Sequence, residues 1–167
     1  SNFGGGKTVI EGFLDNTGGL TKVGTSEVEV ASDQMYSGTT LVKAGTLTAQ
    51  YTDSLMGTNS FGSSTDIQVL SGATVKVKNG TNLAAQVTLL GTFHSTAVDL
   101  ALTPVGAGQT ALLLNGGTPK IIVDGAKLSV GKIDDLGQPV TLTKSGAGTL
   151  DLTELASGTL TSATTLR

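Results

Sequence analysis

Apolar and polar residues alternate along this chain with a period of two, in short bursts. Val28-Glu29-Val30, Ile67-Gln68-Val69, Val75-Lys76-Val77, Leu128-Ser129-Val130 and Leu150-Asp151-Leu152 each read apolar–polar–apolar. That is the pattern of a short strand burying one face. Helical spacing persists nowhere, and glycine interrupts almost every stretch long enough to hold a helix. Turn-forming residues separate the bursts: Asp15-Asn16, Ser71-Gly72, Asn79-Gly80, Asn115-Gly116-Gly117 and Asp124-Gly125. From Asn82 to Leu114 the chain is more apolar. There the continuous runs Leu89-Leu90 and Leu112-Leu113-Leu114 predict strands covered on both faces.

Two all-β architectures use such a pattern. A sandwich or antiparallel barrel joins strands by tight hairpins, whereas a solenoid stacks each strand on its equivalent one coil later. The short joints from Val69 to Val75 and from Val123 to Leu128 suit either. Internal repetition favours the solenoid. Leu20 to Val30 reads LTKVGTSEVEV and Leu142 to Leu152 reads LTKSGAGTLDL, sharing Leu-Thr-Lys-x-Gly and then, three residues on, apolar–acidic–apolar. A second frame, glycine followed by an alternating apolar pair, starts at Gly45, Gly72 and Gly125. At roughly 20 residues per coil the chain makes a single stack of about seven or eight coils. The 4.8 Å strand spacing makes that a rod on the order of 35–40 Å long. Residues 1–167 are read as one segment.

Composition supports a thin core. Aromatic residues are 4 % of the chain, tryptophan is absent, and threonine outnumbers even the 24 glycines. Val, Leu, Ile and Ala must fill the interior, and one layer of such side chains is what a solenoid needs. A hydrophobic fraction of 38 % with a net charge of −3 argues against a disordered chain. No cysteine is present, which excludes disulfides and thiolate metal sites and suits passage through an oxidising periplasm. The only arginine is Arg167 and the lysines are scattered, so no phosphate-tracking surface forms and nucleic acid is not an expected partner. No apolar run reaches the roughly 20 residues of a membrane span, so no membrane insertion of this segment is expected. Ser1-Asn2 reads as a tag remnant, and the chain as an interior piece excised from a larger protein.

Gly18, Gly19, Leu20, Thr21, Lys22 and Gly24, then Val28 and Val30, then Tyr36, Gly38, Thr40, Val42, Gly45 and Leu47, stand in one register. This stretch resembles the autotransporter-associated β-strand repeat, which reads approximately GGLTKxGxGTLxLxxxNxYxGxTxVxxGxL. It departs at Ser26 and Glu27, where the repeat prefers Gly-Thr, and at Gln34, where it prefers Asn. The copy at Leu142 to Leu152 matches the front half better but lacks the downstream Tyr-x-Gly. The resemblance implies a right-handed parallel β-helix in the passenger of a Gram-negative autotransporter. It implies export via the periplasm and outer membrane to the cell surface or the medium, with the chain's own C-terminal outer-membrane barrel and neighbouring passenger coils as partners. In such a repeat Tyr36 is expected to cap a turn or lie against the coil below.

Several short stretches match chemical motifs only in part. Gly6-Lys7-Thr8 resembles the end of a phosphate loop, but Ser1 stands where its first glycine belongs. Gly106-x-Gly108-x-x-Ala111 matches a relaxed dinucleotide fingerprint, but Asn115-Gly116-Gly117 stops any helix it would open. Ser129 and Lys132 have a nucleophile-like spacing that needs a helix, and Ser129 sits in an alternating strand. His94, the only histidine, reads as a solvent-facing loop residue without triad or metal partners. Asp134-Asp135 is the best acidic pair and reads as a solvated turn. No catalytic, cofactor-binding or metal-binding residue is therefore expected, and no cofactor. The expected function is a structural stalk or an autochaperone-like folding nucleus, not an enzyme. The alternative is an adhesive or self-associating surface that binds a host protein or glycan.

Overall fold

The computed structural model describes residues 6–15, 17–53, 58–152 and 165–166; Ser1-Asn2 and Asn16 lie outside them. Among the described residues every regular element is a strand. Fourteen of these strands line up in two long runs, one in each of two sheets. The first runs β1 (Thr8–Ile10), β3 (Glu27–Val30), β5 (Gly45–Asp53), β8 (Ala73–Ala84), β10 (Thr92–Ser95), β13 (Lys120–Val123), β16 (Thr141–Ser145) and β18 (Thr165–Leu166). The second runs β2 (Leu20–Lys22), β4 (Thr40–Val42), β7 (Asp66–Val69), β9 (Gln86–Leu89), β12 (Leu112–Leu114) and β15 (Ile133–Asp134). From the far half of β8 a branch continues through β11 (Asp99–Thr103), β14 (Lys127–Val130) and β17 (Thr149–Asp151).

Every one of these pairings is parallel. The lone antiparallel pair among the described residues joins β5 to β6 (Thr58–Asn59), through Thr52 opposite Asn59. The hairpin-linked alternative is thereby overturned: the fold is all-β with parallel sheets, consistent with a β-solenoid. The register shows what stacks. Val28 pairs with Leu47, Leu47 with Val75, Val75 with Phe93, Phe93 with Ile121, and Ile121 with Lys144. On the second sheet Leu20, Thr40, Ile67, Val87, Leu112 and Ile133 form one inward column. The period of two sends these residues inward on each rung, so identical faces superpose. Val42, Leu47, Ile67, Val69, Val75, Val87, Leu89 and Ile121 are fully buried, in one continuous aliphatic core.

All five sequence bursts lie on strands: in β3, β7, β8 and β14, and at β17 with Leu152 just beyond it. Two local expectations fail. Asn79-Gly80 is not a turn but lies within β8, which pairs with β5 on both sides of Gly80, with β10 along its first half and with β11 along its second. Gly80 is where this strand bends from one face to the next. Its φ is +133°, and a side chain there would collide with the Thr52 carbonyl, so glycine is required. The Leu112–Leu114 strand is not covered on both faces. Leu112 and Leu114 are buried, but Leu113 faces outward and half-buried, between Thr88 and Asp134. Leu90 lies past the end of β9 and is likewise only half-buried.

Candidate functional site

The repeated Leu-Thr-Lys-x-Gly frame is a corner. Lys22 ends β2 in the inward column beneath Val42, where an ammonium has no polar partner. Its side chain therefore turns into the corner. Nζ donates to the carbonyls of Val23 at 2.9 Å, Gly24 at 2.6 Å and, on the next rung, Ala44 at 3.0 Å. Gly24 has φ +76°, a left-handed conformation that aims its carbonyl back at the ammonium. A side chain on Gly45 would meet that same ammonium, so the glycine one rung up keeps the space open. Burial holds the Lys22 pKa below its ordinary value. The second copy repeats this device elsewhere. Lys144 donates to Gly146, whose φ is +85°, but it sits on β16 of the first sheet and leads to β17 on the branch. The two copies therefore mark different corners of the cross-section.

Other polar groups also connect rungs. Glu29 is 6 % exposed and accepts from Lys7 at 2.6 Å and from Lys78 at 3.2 Å. The hydrogen bond from Lys7, joined by the Lys78 ammonium, outweighs burial and holds the Glu29 carboxyl below the ordinary range. Gln34 replaces a strand rung where the backbone is irregular. Its Oε1 accepts from the Leu14 amide at 2.7 Å and its Nε2 donates to the Gly12 carbonyl at 3.0 Å. The longer amide at the repeat's Asn position thus spans two coils. Tyr36, expected to cap a turn or lie against the coil below, is buried and starts a relay. Its hydroxyl donates to Thr40 Oγ1 at 2.7 Å, Thr40 donates to Ser64 Oγ at 3.2 Å, and Ser64 donates to the Asp66 carbonyl at 3.1 Å. The direction follows because each threonine or serine hydroxyl has one proton, already committed onward. Burial pushes the Tyr36 phenol up to about 12.

The sequence candidates fall apart in space. Lys7 is committed to Glu29, and Thr8 opens β1 rather than a helix. Gly106 and Gly108 lie in the irregular stretch between β11 and β12, with Ala111 buried and no helix after it. Ser129 faces outward on β14, while Lys132 reaches the Gly108 carbonyl at 2.9 Å. His94 is not in a loop. It is an outward, half-buried residue of β10, and its Nε2 lies 2.8 Å from Asp124 Oδ2. Asp134 and Asp135 do not form a solvated pair. Asp134 accepts from the Leu136 amide, whereas Asp135 is fully buried and accepts from the Gly137 amide. Both carboxylates thereby hold the turn in which Leu136 and Gly137 take positive φ.

Surface depressions are shallow and follow the grooves between rungs. One, of about 330 Å³, is bordered by Gln34, Asn59, Ser63 and Thr65. A second runs past Asp66, Gln86, Gln109 and Thr110. A third holds Lys127 and Asp151, which are 2.7 Å apart and already paired. A fourth lies between Phe13 and Tyr51. Among the described residues no three His, Cys, Asp or Glu side chains approach closely enough to hold a metal ion. No described helix is long and apolar enough to cross a membrane. No family model, curated protein or solved structure matches this chain, so a functional reading rests on its residues and geometry.

Proposed function

We propose that this chain is a structural segment of an autotransporter passenger, a stalk or folding nucleus that performs no chemistry of its own. The carrying observation is where the polar groups go. Lys22, Glu29, Gln34, Tyr36 and Asp135 are each spent on joining rungs or closing corners, and none converges with another on a cleft. The finer architecture belongs to the same proposal: a right-handed parallel β-helix of seven or eight coils, displayed at the cell surface or released. The repeat-like register from Gly18 to Leu47 supports it, and Leu20, Lys22, Val28 and Val30 occupy strand positions that such a coil requires.

Sedimentation velocity and equilibrium unfolding test this reading. The expected result is an elongated monomer that unfolds in one cooperative transition, without turnover of any glycan. Glycan cleavage abolished by Asp134→Ala or His94→Ala would overturn it. The adhesive alternative has one observation in its favour, the exposed aromatic pair Phe13 and Tyr51 at one depression.

A further inference from the structure

The described aromatic side chains divide sharply. Tyr36, Phe61 and Phe93 are at most 1 % exposed, whereas Phe13 is 69 % and Tyr51 45 % exposed. In a chain that is only 4 % aromatic, the two exposed rings border the same depression. Its other walls are Ala31, Ser32 and Asp33. The stacking places these groups on successive rungs. The Ala31 amide donates to the Ile10 carbonyl and Ser32 Oγ to Gly12, setting residues 31–33 over the segment that carries Phe13. Val30 pairs with Ala49, which sets Tyr51 one rung further on. The rings thus flank the Asp33 rung, two strand spacings or about 10 Å apart along the stack.

The chemistry of this depression is mixed in a particular way. Each ring offers an apolar face whose quadrupole attracts weakly positive C–H groups. Between them, the Asp33 carboxylate forms no hydrogen bond or ion pair with any described residue. An ionised carboxylate accepts hydroxyl hydrogen bonds about twice as strong as neutral ones. Among the described residues no lysine or arginine borders the site, so an anionic ligand would meet uncompensated charge. A ligand with apolar C–H faces, a hydroxyl rim, no negative charge and an extended shape satisfies all of these conditions.

We propose that the Phe13–Asp33–Tyr51 depression binds a neutral oligosaccharide laid along the stack, with sugar faces on the two rings and hydroxyls on Asp33. The proposal rests on the adhesive reading, and it is compatible with a rod that is otherwise a scaffold. The test is calorimetric titration with neutral cello-, xylo- and malto-oligosaccharides, beside a polyuronate of similar length. The expected result is binding of at least one neutral series and not of the polyuronate. Phe13→Ala and Tyr51→Thr should each weaken it about tenfold or more, Asp33→Asn should weaken it, and Tyr51→Phe should retain it. Failure of every neutral series to bind overturns the proposal, as does unchanged affinity in the Phe13→Ala, Tyr51→Thr double variant. Sedimentation of the same samples adds a further arm: self-association lost in that double variant, without sugar binding, assigns the patch to a protein contact instead. Thermal unfolding, expected to be unchanged by these exposed substitutions, separates failure of the site from failure of the fold.

Discussion

Lys22 and Lys144 close two different corners with the same bond: each ammonium donates to the glycine carbonyl two residues on, Gly24 at 2.6 Å and Gly146 at 2.7 Å. The two differ in depth. Lys22 is buried and reaches Ala44 on the next rung, while the Lys144 bond is exposed. Hydrogen bonds from a charged donor are worth about 1.5–3 kcal/mol each, offset here by the cost of burying the ammonium. Lys22→Met keeps the stem and removes three donated bonds. It is expected to destabilise by about 1–2 kcal/mol in urea unfolding, and Lys144→Met by less than half as much.

Val75 lies at the middle of the inward column, between Leu47 and Phe93, with no exposed surface. A carboxylate there has neither water nor a partner, and the thin core offers no second layer to accept it. Val75→Asp is expected to abolish cooperative unfolding by circular dichroism at neutral pH. Val75→Ala should cost about 1.5–3 kcal/mol and remain folded.

Ser95 occupies the neighbouring inward column, between Val77 and Val123, and its hydroxyl is buried without a hydrogen-bond partner. Removing an unsatisfied buried hydroxyl recovers its desolvation cost at almost constant volume. Ser95→Ala is therefore expected to raise the urea midpoint, by about 1 kcal/mol of stability. A clear loss of stability would show that the hydroxyl is bonded in solution.

Glu29 contributes a pH dependence of definite sign. Its carboxyl titrates below the ordinary range in the folded protein because Lys7 and Lys78 favour the ionised form. The resulting stability is fully present above the unfolded value of about 4.3 and is lost as pH falls through the lower folded value. Urea midpoints recorded from neutral to strongly acidic pH should show wild type above Glu29→Gln at neutrality, the two converging in acid.

Tyr36 acts at the opposite end. Its phenol is raised from 10.0 to about 12 by burial, so the unfolded chain ionises first as pH rises. Stability is level below 10 and falls above it, by about 3 kcal/mol in total once both states are ionised. Tyr36→Phe should flatten this alkaline decline in a pH series of thermal unfolding. The same variant costs about 1 kcal/mol at neutrality, because the Thr40 relay loses its first donor.

Much of the scaffold was legible in local pattern. Alternation located all five bursts on strands, because side-chain direction is a property of adjacent residues. What escaped was decided by residues distant in the chain. His94 was misplaced because its strand reads Phe93-His94-Ser95, and a buried serine breaks the apolar signature. Asp135 looked solvated because nothing local shows that it follows Ile133 on the inward side of a turn. The partners of Glu29, and the pairing of Phe13 with Tyr51 at one depression, follow only from which rung lies on which.

By itself, then, the sequence determined that the chain forms short one-sided strands separated by glycine corners around a thin aliphatic interior. Tertiary structure alone decided that Asn79-Gly80 bends a continuous strand rather than reversing it, that the two repeat copies serve different corners, and which polar groups meet. The physical reason is one of range. Alternation and positive φ are set within a few residues, whereas parallel pairing joins strands a whole coil apart, and a bend and a turn use the same residues until a neighbouring rung selects between them.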